Sequence, residues 1–152
     1  MKKLFRALLI SAGVALVATG CASGPQYKDV ASAIPTLAAD HGRIYFYRSD
    51  SLGGGMIQPE IKLNDKVVGR SVPGGFFFLD EEPGDYTVST STEVTREVKF
   101  ALHAGDTKYV QTSVSMGLLV GHVTPTLEDA ETAEPEVETL KYTGTPMSTA
   151  AK

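Results

Sequence analysis

The sequence predicts a mainly β protein: a small antiparallel β-sandwich of about seven or eight strands, followed by a short C-terminal helix. First, short runs of alternating apolar and polar residues recur between residues 42 and 123. Second, turn residues separate these runs, as at residues 73–75 (Pro-Gly-Gly) and 83–85 (Pro-Gly-Asp). This combination is typical of antiparallel strands. Third, a hydrophobic content of 42% in 152 residues is enough to bury the core of one domain.

Residues 1–20 have the layout of a secretory signal peptide. Three basic residues lie within the first six positions, an apolar run covers residues 7–17, and small residues at 18–20 precede Cys21. The apolar run is shorter than the ~20 residues that a helix needs to cross a bilayer. The alternatives are an ordinary signal peptide that happens to end beside a free cysteine, and an uncleaved membrane anchor.

Cys21 is the only cysteine, and its surroundings predict its modification. The sequence VATGC at residues 17–21 resembles the lipobox of bacterial lipoproteins, in which the cysteine becomes the first mature residue and carries lipid such as palmitate. Because Ala22 rather than Asp follows, the resemblance implies sorting to the outer membrane of a Gram-negative bacterium. The predicted partner is therefore a membrane, reached through lipid on Cys21. A single cysteine forms no intramolecular disulfide and no zinc cluster.

The charge balance excludes one class of partner. The formal net charge is −4, and without the three basic residues of the signal segment 11 basic residues stand against 18 acidic ones, or −7. A nucleic-acid-binding protein needs a basic face, so no nucleic acid is expected as partner. Adhesion to anionic lipid through charge is not expected either.

The mature chain begins with a predicted tether at residues 21–41. Small and polar residues dominate it, and Pro25 and Pro35 interrupt any long helix. Its nineteen flexible residues, 22–40, reach on the order of 25 Å. Within this segment, residues 30–37 are the part that could dock on the domain.

The domain itself is predicted at residues 42–142, beginning with a strand at residues 42–48. Residues 60–63 and 66–71 are expected to form a hairpin across Asn64 and Asp65, which tolerate positive φ angles. Gly84 is expected in a turn that disfavours a β-carbon, and residues 53–55 (three glycines) in a mobile loop. Further strands are predicted at residues 76–79, 86–91, 93–102, 107–116 and 118–123.

Alternation along two strands singles out a candidate interaction surface. Tyr45, Tyr47 and Phe77 are the aromatic residues that alternation directs away from Ile44, Phe46, Phe76 and Phe78. Each sheet of a two-layer sandwich has one inner face, so one set must face outward or be covered. The cover is expected from the tether, from the C-terminal helix or from a partner protein.

The composition changes at residue 128, after which six acids occur within eleven positions. Pro135 suits the first turn of a helix, which is predicted within residues 128–141 and packed by Val137 and Leu140 at most. Its acidic face is expected in water. Truncation after Thr126 should then leave the sandwich folded with a modest loss of stability. Residues 143–152 are predicted to be a disordered tail.

Motifs for catalysis and metal binding are missing from the sequence. His41, His103 and His122 are not spaced like metal ligands. No nucleophile elbow or zinc-protease motif occurs. The acidic turn at residues 80–85 lacks the spacing of a calcium loop. No catalytic residue, metal or cofactor is therefore predicted, and the protein is not expected to be an enzyme.

Three stretches together resemble a known family. They are GRIYFYRSD at residues 42–50, PEIKLNDKVVGRSVPGGFFF at 59–78 and PGDYTVS at 83–89. They are similar to the bacterial lipoprotein family of domain of unknown function 2846, over roughly residues 42–140. The Pro-Gly-x-Tyr element also resembles transthyretin-like and carboxypeptidase-regulatory-like β-sandwiches. The resemblance implies the architecture and carries no activity with it.

The predicted function is that of a lipid-anchored cell-envelope protein, a binding or interaction module that presents its aromatic surface to an envelope protein or small ligand. A structural accessory subunit of an envelope complex is one alternative, and a hydrolase acting on an envelope polymer is another. A pocket lined by Tyr45, Tyr47 and Phe77 would favour binding. A buried pair of carboxylates would favour hydrolysis.

Overall fold

The computed structural model describes residues 21–50, 55–119, 121–145 and 147. The predicted signal peptide at residues 1–20 lies outside the described residues. So do most of the triple-glycine loop and residues 148–152 of the predicted tail.

The described residues form nine strands in two sheets, which confirms the predicted fold class. The five-stranded sheet has the order β8-β7-β1-β4-β9, and the four-stranded sheet has the order β3-β2-β5-β6. The strands are β1 Gly42–Arg48, β2 Glu60–Leu63, β3 Lys66–Arg70, β4 Gly75–Glu81, β5 Gly84–Ser91, β6 Thr95–Leu102, β7 Thr107–Ser115, β8 His122–Glu128 and β9 Lys141–Tyr142.

The larger sheet is mixed, which differs from the expected purely antiparallel arrangement. β1 pairs with β7 in parallel, and β4 pairs with the two-residue β9 in parallel. Parallel neighbours need a long connection, and here the second sheet lies between β1 and β7 in the chain. Alternation of apolar and polar residues identifies a strand but does not show the direction of its neighbour. The parallel pairings could therefore not be predicted from the sequence.

The predicted hairpin between β2 and β3 is confirmed. Asn64 and Asp65 have φ angles of 46° and 66°, and two consecutive left-handed residues are typical of the tight type I′ turn. The side chain of Asn64 also accepts a hydrogen bond from the amide of Thr87 at 2.8 Å. The turn is thereby fastened to β5.

The expected requirement for glycine at residue 84 is wrong. Gly84 is the first residue of β5, and a β-carbon there would meet nothing closer than the ring of Tyr86 at 3.8 Å. Among the described glycines, positive φ angles occur instead at Gly74 (69°) and Gly105 (83°). The turns that favour glycine are therefore the one that precedes β4 and the one between β6 and β7.

The main core lies between the two sheets. Phe46 is directly opposite Phe77 on one neighbouring strand and Val110 on the other, and the rings of Phe46 and Phe77 stack at 4.8 Å. A β-carbon added at Gly69 of β3 would lie 2.5 Å from the ring of Phe77. Phe77 therefore points toward the second sheet, against its β3 strand.

Short helices cover the face of the larger sheet that points away from the second sheet. We call it the outer face, or the outer aromatic face. The helices are α1 Tyr27–Val30, which continues into a 3₁₀ turn at Ala31–Ala33, and α2 Ala130–Val137. Pro135 is the sixth residue of α2 rather than part of its first turn. The helix and the residues after it bury Ala133 in addition to Val137 and Leu140, so the predicted contact set was too small.

Candidate functional site

The predicted aromatic surface does not exist as one surface. Residues directly opposite each other on neighbouring strands share a face, and the register places Tyr45 opposite Phe78 and Tyr47 opposite Phe76. Phe77 therefore lies on the opposite face from Tyr45 and Tyr47. The grouping was wrong because alternation fixes faces within one strand, whereas the register between strands decides which faces coincide.

All three residues of that predicted surface are buried. Tyr45, Tyr47 and Phe77 are 8%, 2% and 4% exposed. On the outer face, the ring of Tyr27 from α1 lies 5.5 Å from Phe76. The ring of Tyr142 from β9 lies 5.5 Å from the same phenylalanine. The cover is thus intramolecular and comes from both ends of the described residues.

Acids of α2 hold this cover in place by contacting the sheet. Tyr109 donates a hydrogen bond to Glu134 at 2.9 Å, and Gln111 donates to Glu136 at 3.0 Å. Ser49 also donates to Glu136. Burial, with the adjacent Glu134 carboxylate, raises the pKa of Tyr109, so this phenol stays a donor. The expectation that the whole acidic face of the helix remains in water is therefore wrong.

Cys21, the predicted lipidation site, is an exposed free thiol directly beside the domain. The next residue, Ala22, is 4% exposed, and its amide donates to the carbonyl of Pro73 at 3.0 Å. Further along, Tyr27 donates to the carbonyl of Leu140 at 2.9 Å. The segment predicted as a flexible tether is therefore packed on the domain, because its small residues fit between the turn at residues 73–75 and β9.

The predicted tail also contributes contacts in its described part. The amide of Thr143 donates to the carbonyl of Phe76 at 2.8 Å, and Met147 packs against the core. The sequence predicts a disordered tail from residue 143. Its described part is held instead, because Thr143 extends β9 along β4 and the apolar side chain of Met147 packs against the core.

A cleft of about 970 Å³ opens beside Cys21. Residues 21–25 form one wall, and Tyr142 to Gly144 with Met147 form another. Among the described lining residues, most are small or apolar, and only Asp29 and Arg70 carry charge. The arrangement can enclose an apolar molecule and offers one cation and one anion for a polar end.

Arg48 holds in place the loop around Ile57, which borders this cleft. Its side chain is 2% exposed, and Nη1 donates to the carbonyls of Ile57 at 2.7 Å and Ser71 at 3.1 Å. Burial lowers the pKa of Arg48. Sequence reasoning missed this role, because an arginine at the end of a strand is usually solvated. Gly55, Met56 and Gln58, next to Ile57, all line the cleft.

Each of the three histidines contacts a different acid. His41 contacts Asp40 at 2.8 Å, His103 contacts Asp106 at 3.1 Å and His122 contacts Glu93 at 3.1 Å. The hydrogen bond to the carboxylate of Asp40 raises the pKa of the His41 ring. Within the ranges that the structure describes, no three potential metal ligands come together.

Neither the pocket expected to favour binding over a structural role nor the buried carboxylate pair expected to favour hydrolysis is found in the described part of the chain. A cavity of about 300 Å³ contains Tyr45 together with Tyr27, Arg43 and Tyr109, but neither Tyr47 nor Phe77 lines it. The buried polar residues of the described ranges include no Asp or Glu. The cleft beside Cys21 is therefore the better candidate site, and the aromatic pattern gave no sign of it.

Comparison with known proteins gives two matches. The model of one family, described as "Protein of unknown function (DUF2846)", matches residues 38–124, which is more than half of the chain. A curated relative, an uncharacterized protein of Haemophilus influenzae strain Rd, is 28% identical over 127 residues, covering 80% of this chain and 74% of the relative. None of the helices formed by described residues is long and apolar enough to cross a membrane.

Proposed function

This chain belongs to the DUF2846 family of proteins of unknown function, and from the geometry of its own residues we propose that it is a lipid-anchored cell-envelope protein that binds an apolar ligand in the cleft beside Cys21. One observation carries this proposal: the large, mostly apolar cleft begins at the residue that would bear the lipid. The membrane concerned is the outer membrane of a Gram-negative bacterium.

The position of Cys21 supports the anchor. The sulfur is exposed, and the following residue is already fixed to the domain through the hydrogen bond to Pro73. A lipid on Cys21 would therefore be attached at the surface of the domain, with almost no free chain between the two. Two or more acyl chains hold a protein on a membrane stably, whereas one does so only marginally.

The size and lining of the cleft support ligand binding. Small-molecule sites typically have volumes of about 300–1,000 Å³ and mostly apolar walls with few polar groups, and this cleft has those properties. Arg70 is held in position because its guanidinium donates to the carbonyl of Gln58 at 2.9 and 3.2 Å. An apolar ligand with an anionic end, such as a fatty acid, fits this lining best.

The anchor is tested by changing Cys21 to Ser in the full chain. Wild-type protein should enter the detergent phase of a detergent extraction, and mass spectrometry should find acyl chains on Cys21. The variant should appear as a water-soluble or uncleaved form. Wild-type protein in the aqueous phase would contradict the anchor.

The cleft is tested by filling it with Gly55→Trp. A β-carbon at Gly55 meets no atom within 4 Å, so the indole can enter the cleft without strain in the backbone. Binding of a fluorescent fatty acid should weaken by at least about tenfold, which corresponds to the ~1.4 kcal/mol of one good apolar contact. Gly84→Trp is the matched control, because the space around Gly84 is also open and it does not line the cleft. Equal affinities for both variants would disprove binding in the cleft.

Three alternatives stay predictions, because no feature comparable to the cleft supports them. They are binding to an envelope protein, a structural role and hydrolysis of an envelope polymer. A chain that binds no apolar probe but is crosslinked to one envelope protein in intact cells would favour the first of them.

A further inference from the structure

The most exposed large apolar side chains of the described residues are concentrated in two loops. They are Met56 (95% exposed), Met116 (97%), Leu118 (92%) and Leu119 (89%), and we call these four residues the apolar rim. The other exposed large apolar residues are covered by half or more, as Val67 at 47% and Leu127 at 39% show. Such a concentration of exposed apolar surface marks an interaction site.

Both rim loops lie at the end of the sandwich that carries Cys21. β1 ends at Arg48, which is paired with Gly75. Cys21 lies at the same end, because the next residue, Ala22, is hydrogen-bonded to Pro73. Because β7 runs parallel to β1, it also ends there and leads into the loop with Met116. Met56 lines the same cleft as Cys21.

The two loops contact each other and are held in place. A β-carbon added at Gly121 would lie 2.8 Å from Ile57, so the loops meet directly beside the rim. The carboxylate of Glu93 accepts hydrogen bonds from the amides of Leu118 at 3.3 Å and Leu119 at 2.7 Å. The apolar side chains are therefore presented outward by a fixed backbone.

The rim loop presents no charge of its own. Residues 116–119 contain no charged residue, and the amides of Leu118 and Leu119 hold the carboxylate of Glu93 that contacts this loop. The turns at the opposite end carry Asp65, with Lys66 beside it, and the acids Glu81 and Asp85. Anionic lipid repels exposed acids, so these turns would face away from a membrane that the rim touches.

We propose that the apolar rim inserts into the boundary between head groups and acyl chains of the same bilayer that holds the lipid on Cys21. This inference rests on the proposed anchor. It goes further, because it fixes the orientation of the domain: the cleft opens toward the lipid, and the acidic turns point away from it. A ligand could then pass between bilayer and cleft without crossing water.

The test places a nitroxide spin label on the rim of the mature chain. In the lipidated protein the sulfur of Cys21 is blocked, so Leu118→Cys provides a single labelling site, and Val67→Cys provides a matched control at the opposite end. Each protein is reconstituted in vesicles of phosphatidylethanolamine and phosphatidylglycerol. The collision rates of the label with oxygen and with a water-soluble nickel chelate are then compared.

At Leu118 the label should be more accessible to oxygen and less accessible to nickel than in the same labelled chain with Cys21→Ser in solution without vesicles, whereas at Val67 it should stay accessible to nickel. Equal nickel accessibility at both positions would overturn the inference. Shielding of the Leu118 label only in the presence of other envelope proteins would overturn it as well, because the rim would then bind protein.

A second measurement separates this inference from the anchor. The mature chain, residues 21–152, with Cys21→Ser carries neither lipid nor the apolar run at residues 7–17, so its sedimentation with the same vesicles reports the rim alone. Adding Leu118→Ser and Leu119→Ser should lower that sedimentation by about tenfold or more, given the apolar area that each leucine would bury. If wild-type protein carries no lipid, the anchor fails while this comparison still decides the role of the rim. Equal sedimentation with and without the leucines would overturn that role.

Discussion

At the residue scale, Arg43 joins three parts of the molecule from a nearly buried position. Its guanidinium donates to both carboxylate oxygens of Asp80, at 2.6 and 2.7 Å, and to the carbonyl of Pro35 at 2.8 Å. It also lies 4.6 Å from the centre of the Phe78 ring. The hydrogen bonds of Asp80 raise the pKa of Arg43. This cation therefore fastens the N-terminal segment to the edge of the outer aromatic face.

Replacing Arg43 by Leu should lower the free energy of unfolding by about 1–3 kcal/mol. Broken buried pairs cost about 3–5 kcal/mol, and the expected loss is smaller because the side chain of Asp80 is 26% exposed. Arg43→Lys keeps the charge but cannot form the paired hydrogen bonds, so it should lose less. Urea unfolding measures both variants. An unchanged midpoint for Arg43→Leu would show that the contact adds nothing.

Gly74 is one of two described glycines whose backbone conformation favours glycine, and it is the one beside the N-terminal segment. Its φ angle is 69°, its amide donates to the carbonyl of Arg48 at 3.0 Å, and its carbonyl accepts from Lys141 at 3.0 Å. Gly74→Ala should therefore cost about 1–2 kcal/mol for the left-handed conformation. Gly84→Ala is the control and should leave the melting temperature nearly unchanged. Equal losses for the two variants would contradict this assignment.

At the element scale, the strand pattern could be predicted, whereas the pairing could be predicted for the β2–β3 hairpin and not for the larger sheet. Alternation located β1 and the β2–β3 hairpin, because a half-buried strand repeats every two residues. Phe77 was assigned to the wrong face because that assignment depends on the register of β4 against β1. The sequence therefore showed three consecutive phenylalanines without showing which of them faces the second sheet.

The C-terminal helix is a larger part of the domain than the acidic sequence indicated. Ala133, Val137, Leu140 and Tyr142 are at most 8% exposed and cover the outer aromatic face. A chain that ends at Thr126 loses all four, and each large apolar side chain contributes about 1.5–3 kcal/mol on burial. That total is a large part of the 5–15 kcal/mol typical of domains. We therefore expect the truncated chain to be largely unfolded by circular dichroism, contrary to the modest loss predicted from sequence.

A single substitution tests the same contact in a chain of full length. Val137→Ala should lower the free energy of unfolding by roughly 2–3 kcal/mol, since truncated core side chains leave a cavity. Thr132→Ala lies on the exposed side of α2 and should change stability by less than about 0.5 kcal/mol. If both variants unfold at the same urea concentration, the helix does not pack on the sheet as described.

At the scale of the whole molecule, the two ends of the sandwich differ in chemistry. One end combines Cys21, the cleft and the apolar rim, and the other end carries acidic turns. The overall charge, the fold class and the candidate lipidation site could be predicted from the sequence. The difference between the two ends could not be predicted. It depends on strand directions that bring residue 56 close to residues 116–119, which lie 60 positions further along the chain.

A flexible insertion tests whether the rim itself holds this end against the membrane. Ten Gly and Ser residues between Cys21 and Ala22 leave the hydrogen bond of Ala22 to Pro73 in place and add a reach of roughly 17 Å. A domain held only by its lipid would drift away from the bilayer over that distance. If the rim inserts on its own, the spin label at Leu118 should stay accessible to oxygen and shielded from nickel. A label that becomes accessible to nickel after the insertion would show that the short connection, and not the rim, keeps the domain at the surface.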